Sequence, residues 1–258
     1  MKKTHFAFLV ISLIVFSFVA GIPVYGDLSG LSAEDFLEVV RMPRATAGNW
    51  AALEGNARHR RSGRSSEEME VYLGIWFTSQ RALAQLIVDN EQGFIIGQDF
   101  SAAGQGGSVT PMGSYSESKL DYFGLRPGDL TLSFIYWPLV QEVEGDSVKG
   151  LDCRDMILKS PDFTGLQEWV RCSISTEYAY PLRAEWYSSI DEAVEGDAPI
   201  RSLEVTGFRS EKTVDGDELW VVSELKLEGE GWRTIVSFGA ALVGKSSDGT
   251  FPEVMRKL

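Results

Sequence analysis

Histidine and cysteine are scarce in this sequence, which has two of each among 258 residues. His59 is the one histidine beyond residue 26, and Cys153 and Cys172 are 19 residues apart. A structural zinc site needs several closely spaced His or Cys ligands, so this composition makes a poor zinc set. The sequence also lacks a phosphate-binding loop, a nucleophile elbow and an EF-hand loop. We therefore expect no catalytic residues, no metal, no cofactor and no enzymatic activity.

Basic residues are also few. Lys and Arg number 24 against 37 Asp and Glu, which gives a formal net charge of −13. The first 26 residues contain Lys2 and Lys3 but no acidic residue, so without them the charge becomes −15. The anionic surface of a nucleic acid duplex or a membrane would repel such a body. We therefore expect no nucleic acid and no anionic membrane surface among the partners.

Long apolar runs are absent beyond the N-terminus. The one strong run spans residues 6–20 behind two lysines, and it is too short and too N-terminal for a typical spanning helix. It predicts a signal peptide over residues 1–26. Val24 and Gly26 suit cleavage after residue 26, with Ala20 as the alternative, and no cysteine stands there to accept a lipid. We expect an exported, periplasmic chain that is soluble after cleavage and carries no lipid anchor.

The rest of the chain has the composition of a folded protein. With 44% hydrophobic residues it can build a substantial core, which excludes a disordered or collagen-like chain. We expect one domain over residues 27–245 and a loosely attached tail over residues 246–258.

The strongest helix pattern covers residues 31–42, with the sequence LSAEDFLEVVRM. Ser32 can cap this helix, because Asp35 follows three residues later. An apolar stripe runs along one side and comprises Phe36, Leu37, Val39, Val40 and Met42. The pattern predicts an amphipathic helix with one buried face.

From about residue 53 the pattern changes to short segments rich in Val, Ile, Thr and aromatic residues, with turn residues about every 8 to 12 positions. Apolar residues alternate along 69–77, and further strands are predicted at 81–88, 93–100, 139–144, 148–159, 168–176, 181–188, 200–209, 218–228 and 231–240. About ten strands with one good helix predict a mainly β protein with α-helices (α+β). We expect a strongly curved antiparallel sheet, or incomplete β-barrel, covered by short helices.

Two stretches leave alternatives open. Residues 101–118 are rich in Gly and Ser without a clear period, which fits either a long hairpin or a mobile loop. Residues 124–137 could be a strand by composition. However, Asp129 can cap a short helix that places Leu130, Phe134 and Trp137 on one face, and we favour the helix.

One basic cluster, residues 58–64, surrounds His59 in an otherwise acidic chain. His59 could act as a general base, but the sequence identifies no nucleophile for it, so a solvated residue on or beside the first strand is the simpler interpretation. Paired carboxylates lie at turns and on polar strand faces, where acidic residues are expected anyway. Arg58 and Arg60 could instead contact an anionic headgroup or an acidic partner, although most such clusters are solvated surface.

Cys153 and Cys172 lie in segments predicted to be adjacent strands. If the connecting turn is centred at residues 162–163, the two cysteines fall opposite each other. Export to an oxidising compartment then favours a disulfide, which would add about 3 kcal/mol of stability on the chain-entropy model. Two reduced buried thiols are the alternative, because directly opposed strand positions often hold a disulfide only with strain.

Aromatic residues are spread over nearly every predicted strand, and core packing accounts for most of them. A curved sheet of this size also encloses more apolar wall than its own side chains need to fill. We therefore predict an apolar cavity for a lipid, lined by Leu73, Ile75, Phe77, Phe134, Trp137, Trp186 and Phe238.

Several segments of the C-terminal half resemble the LolA-like outer-membrane lipoprotein-sorting family. The resemblance rests on a Gly-x-x-Cys strand at Gly150–Cys153, a Pro-Leu-Arg strand start at Pro181–Arg183, and a late Trp-Val strand in LWVVSELKLEG followed by GWRTIVSF. It covers about residues 31–240, and its motifs are structural rather than catalytic.

The resemblance implies an unclosed β-barrel with an apolar cavity beneath a helical lid. Phe36, Leu37 and Val40 of the predicted helix would belong to this lid. In the proteobacterial carriers a buried arginine holds the lid shut, a position that Arg58 or Arg60 could supply from the first strand.

The resemblance also implies a function: a periplasmic carrier that shelters lipoprotein acyl chains and delivers them toward the outer membrane. Its partners would be lipoprotein acyl chains or other lipid, an inner-membrane donor and an outer-membrane acceptor, with the chain itself a monomer. The alternative is an envelope sensor or interaction domain of the same fold that binds lipidated or misfolded proteins without transporting them.

Overall fold

The protein is described by a computed structural model that covers most of the chain beyond the predicted signal peptide. The described residues are 28–41, 48–100, 107–113, 119–161, 168–213, 215–246 and 254–256. The signal peptide prediction and Met42 of the predicted helix lie outside these ranges. No helix within them is long and apolar enough to cross a bilayer.

The alternating segments form one antiparallel sheet. Its strands are β1 (Asn49–Arg61), β2 (Glu67–Phe77), β3 (Arg81–Val88), β4 (Gln92–Asp99), β5 (Ser108–Met112), β6 (Leu139–Val143), β7 (Ser147–Val148), β8 (Leu151–Lys159), β9 (Trp169–Ser175), β10 (Tyr180–Tyr187), β11 (Arg201–Lys212), β12 (Glu218–Gly229) and β13 (Trp232–Lys245). The spatial order is β5-β4-β3-β2-β1-β13-β12-β11-β10-β9-β8-β6, and β7 pairs only with β8.

The sheet is curved and unclosed, because its order ends at β5 on one side and at β6 on the other within the described residues. The pairing of β1 with β13 joins the two halves of the chain into one continuous sheet. The predicted fold class, a curved antiparallel sheet or incomplete barrel with helical cover, is confirmed.

Within the described residues, four short α-helices accompany the sheet: α1 (Ala33–Arg41), α2 (Lys119–Tyr122), α3 (Pro127–Leu130) and α4 (Ile190–Glu195). The predicted cap of α1 is confirmed. The Ser32 hydroxyl accepts a hydrogen bond from the Asp35 backbone N–H at 3.1 Å and donates to the Asp35 carboxylate at 2.8 Å. These bonds satisfy backbone groups that a helix start would otherwise leave unpaired.

The helical interpretation of residues 124–137 is also confirmed, as α3 followed by a 3-10 turn at Ser133–Tyr136. The N-cap residue is Arg126 rather than Asp129, however, and Asp129 contributes to the cap from the third helical position. It lies inside α3, and its carboxylate accepts from the Arg126 backbone N–H at 2.7 Å, before Pro127 opens the helix. The hairpin alternative for residues 101–118 is confirmed where the structure describes it, because β5 pairs with β4.

The two faces of the sheet differ in chemistry. We call the face that carries Leu53, Leu73 and Phe238 the inner face, and the other the outer face. Leu53 lies opposite Leu73 in the β1–β2 register, and all three side chains are almost fully buried. Helices α1, α2 and α3 pack on the inner face and share one apolar core with it. Helix α4 packs on the outer face, where Ala193 contacts Ile157 and Tyr187 in a separate small cluster.

A glycine allows close strand approach where β1 meets β13. The register between these strands shifts at Glu54/Gly55, where β13 skips Gly239. A Cβ atom on Gly55 would lie 2.0 Å from the Ser237 carbonyl oxygen. Such bulges bend and twist a sheet, so this site contributes to the curvature.

The described part of the C-terminal tail is attached to the sheet, which corrects the loose attachment expected for residues 246–258. Residues 254–256 lie on the outer face, Val254 is 4% exposed, and its carbonyl accepts a hydrogen bond from the Tyr72 hydroxyl. This contact is made through backbone groups, so it produces no periodic spacing of apolar residues. Hydrophobic patterning of the sequence therefore could not predict it.

Replacing Gly55 by alanine is expected to lower the free energy of unfolding by about 1–3 kcal/mol, because the added methyl group must displace the backbone of β13. Gly239→Ala is the matched control, since a Cβ there meets nothing within 4 Å. It should change stability by less than about 0.5 kcal/mol. Urea denaturation of both variants checks this, and equal effects would contradict the close approach.

Candidate functional site beneath the helical cover

Residues 119–137, here called the helical cover, close over the inner face of the sheet. They contain α2, α3 and the 3-10 turn, and their apolar side chains belong to the same core as the strands. The ones that are less than one tenth exposed are Leu120, Phe123, Leu125, Leu130, Leu132, Phe134, Ile135, Tyr136 and Trp137. The cover therefore occupies the place where the predicted cavity would lie.

Helix α1 packs beside the cover, and its last residue, Arg41, is hydrogen-bonded to the cover. Phe36 and Leu37 are fully buried, while Val40 packs against the core from a partly exposed position. The Arg41 guanidinium donates to the carbonyl of Ile135 at 2.6 Å and to that of Trp137 at 2.5 Å.

The Arg41 contact is reciprocal, because the Tyr136 hydroxyl donates to the Arg41 carbonyl at 3.1 Å. Burial lowers the pKa of Arg41 from its ordinary value. Arginine nevertheless remains charged at every physiological pH, since its ordinary pKa is far above that range. A charged donor thus satisfies two carbonyl groups at the end of the 3-10 turn.

The centre of the cover is held by a buried ion pair between α3 and β11. The Arg201 guanidinium donates to both oxygens of Asp129, at 2.7 and 2.8 Å, and the two side chains are only 7% and 3% exposed. The guanidinium carbon also lies 3.9 Å from the centre of the Trp186 ring. This bidentate geometry fixes both the position and the rotation of α3 over the sheet.

Two hydrogen-bond donors beneath the cover have no partner among the described residues. They are Nε of Arg201 and Nε1 of Trp186, both buried. The side chains stack on each other, and the Phe134 ring meets Trp186 edge-on at 5.2 Å between centroids. A buried unpaired donor is costly and is a natural place for a ligand acceptor or a bound water.

A second bidentate pair ties the start of α3 to the strand β9, two positions from β11 in the sheet. Arg126 donates to Glu168 at 2.5 and 2.8 Å, and Glu168 immediately precedes β9. Burial by itself would lower the pKa of Arg126, but its bond to Glu168 and the nearby acidic groups raise it. The short helix α3 is therefore held in place by two arginine–carboxylate pairs, one at Arg126 and one at Asp129.

His59 is buried, so the prediction of a solvated residue is wrong. It is 2% exposed on the inner face, between the cover and β13. Arg61 Nε donates to His59 Nε2 at 3.1 Å, His59 Nδ1 lies 2.8 Å from the Thr234 hydroxyl, and that hydroxyl donates to the Phe123 carbonyl at 2.5 Å. The chain of bonds requires a neutral imidazole with its proton on Nδ1.

The arginines predicted to hold the lid lie elsewhere. Arg58 and Arg60 are exposed, and Arg58 pairs with Glu68 at 3.2 Å in an exposed contact. The arginines that reach the cover are instead Arg41, Arg201 and Arg61, whose Nη2 donates to the Tyr122 carbonyl at 3.2 Å. The lid role of Arg58 and Arg60 is therefore wrong, while their contact with an anionic headgroup stays a prediction.

The sequence alone contains a signal that Arg58 and Arg60 do not reach the helical cover. Odd-numbered residues of β1, such as Leu53 and Ala57, are apolar, so the even-numbered Arg58 and Arg60 must point to the other face. Arg41, Arg126 and Arg201, by contrast, carry no local signal, because their partners lie far away in sequence.

Most of the predicted cavity residues come together in the core. Leu73, Phe134, Trp137, Trp186 and Phe238 are less than one tenth exposed, and the partly buried Ile75 packs against them. Phe77 is partly buried at the end of β2, opposite Ala82. Lining of a lipid cavity stays a prediction for all seven.

The predicted disulfide is wrong, because the register places the cysteines apart. Cys153 lies opposite Ser175, and Cys172 opposite Met156. Residues 153 and 156 are an odd number of positions apart, so the two cysteines point to opposite faces of the sheet. Both are free, and burial raises the pKa of the Cys172 thiol. Among the described residues no group of three or more His, Cys, Asp and Glu side chains could hold a metal ion.

No protein-family model matches the chain, and no curated protein matches it in sequence. Solved structures are similar to it in fold. An outer membrane lipoprotein-sorting protein domain from Vibrio parahaemolyticus matches with a TM-score of 0.56 at 13% identity, covering 86% of this chain and 96% of its own. The fold is that of the LolA-like lipoprotein-sorting proteins.

Another structure with this fold is a DUF1329 family protein from Desulfovibrio piger. It matches with a TM-score of 0.51 at 15% identity, covering 90% of this chain and 96% of its own. The LolA-like fold of this chain therefore spans both its N-terminal and its C-terminal half, whereas the sequence resemblance was carried mainly by the C-terminal segments.

Removing one member of the Arg201–Asp129 pair should strongly destabilise the LolA-like fold. We expect Asp129→Ala to cost about 3–5 kcal/mol, because it leaves a buried guanidinium unpaired. The double variant Arg201→Met/Asp129→Leu should recover most of this loss. Arg58→Ala, in the exposed pair with Glu68, is the control and should cost less than about 1 kcal/mol. Urea denaturation gives all three values, and similar effects at the two pairs would contradict the assigned role.

His59 should make stability depend on pH. Burial and then Arg61 lower its pKa below the ordinary 6.5, with Glu67 acting in the opposite sense. The stabilisation that neutral His59 contributes to the fold is therefore complete above about pH 6.5. It is lost as the pH falls from about 6.5 toward the lower pKa that His59 has in the folded state.

The measurement compares thermal unfolding of the wild type and His59→Gln between about pH 7.5 and 5. The wild type should lose more stability than the variant on acidification, since carboxylate titrations are common to both. Parallel stability curves would show that His59 does not titrate differently in the folded and unfolded states.

Proposed function

We propose that this protein is a periplasmic lipid-binding carrier. It shelters the acyl chains of lipoproteins between the inner face of the sheet and the helical cover, and delivers them toward the outer membrane. The observation that carries this proposal is the way the cover is attached: an apolar interface pinned by a few directional bonds from Arg41, Arg126 and Arg201.

Such an attachment suits a cover that opens and closes. The apolar side chains of the cover can exchange one set of apolar neighbours for another, so an acyl chain can replace them at little cost. The ion pair between Arg201 and Asp129, in contrast, is either made or broken. It gives the closed state a defined geometry and gives opening a definite cost.

The magnitudes allow a carrier to release its load. Burial of an acyl chain contributes about 0.8 kcal/mol for each methylene, or on the order of 10 kcal/mol for a long chain. Opening the cover breaks the buried ion pair, but rehydration of its two charges offsets part of that cost. The difference leaves net binding that is strong enough to hold a lipid but weak enough to pass it on.

The unpaired donors beneath the cover fit the same ligand. A lipoprotein acyl chain is attached through ester or amide carbonyl groups, which accept hydrogen bonds. Arg201 Nε and Trp186 Nε1 are buried donors that such a carbonyl could satisfy. On this proposal the protein works by binding rather than catalysis, as a monomer that receives cargo from an inner-membrane donor and surrenders it to an outer-membrane acceptor.

Binding of a fluorescent triacylated lipopeptide tests the proposal. Ile75→Trp places a larger side chain on the inner face where the acyl chain would lie, and we expect about tenfold weaker binding, equivalent to about 1.4 kcal/mol. Leu242→Trp is the control, because Leu242 is 70% exposed. Its affinity should match that of the wild type.

Asp129→Asn supplies a second readout, since a weakened ion pair should speed lipid release. Absence of saturable binding to the wild type, or equal binding by Ile75→Trp, would contradict the carrier. Gene deletion separates transport from sensing: loss of a carrier strands lipoproteins in the inner membrane, whereas loss of a sensor alters a stress response while sorting continues.

A further inference from the structure

The outer face of the sheet holds a segment of the chain through contacts to its backbone and to one arginine side chain. Residues 254–256, here called the tail segment, lie across β2 and β3. The Tyr72 hydroxyl donates to the Val254 carbonyl. Gly74 makes room for this contact, because a Cβ there would lie 2.6 Å from the same carbonyl oxygen.

Gln85 recognises the backbone of the tail segment at two points. Its side-chain amide donates to the Arg256 carbonyl at 2.8 Å, and its side-chain oxygen accepts from the Arg256 N–H at 2.7 Å. Gln85 is only 1% exposed, so this pairing is shielded from water. The two bonds imitate those of a neighbouring β-strand and read an extended peptide rather than a particular side chain.

The side chain of Arg256 is recognised separately. Its guanidinium carbon lies 3.7 Å from the centre of the Tyr72 ring, and the guanidinium is hydrogen-bonded to the Glu54 carboxylate. Stacking on an aromatic face together with a carboxylate contact is a combination that arginine satisfies and lysine satisfies less well.

The tail segment fills only part of this recognition surface. Beside Arg256 lies a cavity of about 450 Å³ whose wall includes Glu54, Asn56, Glu70, Asp89 and Asn90. Asp89 is paired with Lys119, whereas among the described residues the Glu70 carboxylate accepts a hydrogen bond only from the uncharged side-chain amide of Asn90. The open space beside the arginine site is therefore polar and acidic, with room for a second basic side chain.

We propose that the outer face of β1–β3 is a binding site for an extended, arginine-bearing basic peptide of a partner protein, and that the tail segment occupies this site in cis. Backbone pairing by Gln85, the Arg256 contacts with Tyr72 and Glu54, and the acidic cavity support this ligand class. A tethered competitor lowers the apparent affinity for the partner by the fraction of time it fills the site. The site lies on the face opposite the helical cover, so peptide binding and lipid binding are separable.

The test uses the full chain and a fluorescent peptide with the sequence of residues 251–258, FPEVMRKL. In Arg256→Ala protein the tethered segment loses its guanidinium contacts but the site keeps all its own residues. We expect this variant to bind the peptide about tenfold more tightly than the wild type does. A peptide with Arg256→Ala should bind the same variant about tenfold more weakly than the unaltered peptide.

A second substitution in the protein locates the site. Adding Glu54→Gln to the Arg256→Ala protein should remove most of the gain, whereas adding Glu68→Gln, at an exposed glutamate of β2 outside the cavity wall, should not. Equal binding by wild type and Arg256→Ala protein, or no effect of Glu54→Gln, would overturn the proposal. A wild-type dimer that dissociates in the Arg256→Ala protein would overturn occupancy in cis, because the tail would then bind a second copy.

Discussion

The ion pair between Arg201 and Asp129 is the interaction on which the arrangement of the inner face depends. Apolar contact alone would hold the helical cover against the sheet in many nearly equivalent positions, because hydrophobic attraction has no direction. A bidentate pair of charges tolerates one position only. Desolvation offsets much of its stabilisation, so its main effect is to select a single closed geometry. Arg41 extends the same principle to the C-terminal end of the cover, and Arg126 extends it to the start of α3.

Curvature gives the sheet two surfaces with different chemistry. The shift at Gly55 and Gly239 lets β1 and β13 approach closely and bend, which turns one face inward. That face becomes an apolar core closed by helices. The outer face receives the tail segment through backbone bonds and the contacts of Arg256. The proposed lipid site and the proposed peptide site therefore lie on opposite faces and use different residues.

Strand positions were predictable because apolar alternation is a local property. It placed β2, β3 and most of the later strands, and the Ser32 cap placed α1. The register between strands was harder to predict from the sequence. The turn between Cys153 and Cys172 was assumed to be centred at residues 162–163, which is earlier than the structure places it. That error alone put both cysteines on one face. His59 was misjudged for a related reason. Its basic neighbours suggest a solvated surface, yet every second residue of β1 points into the core.

The sequence by itself determined the fold class, the strand pattern and the aromatic and aliphatic residues available to the inner face, since each of these depends on neighbours within a few positions. Only the tertiary structure decided which arginines hold the cover. Arg41, Arg126 and Arg201 meet partners 42 to 96 positions away, and no local pattern encodes such a pairing. It arises only when a curved sheet brings distant charges into one dry interface, where an unpaired charge would be too costly to keep.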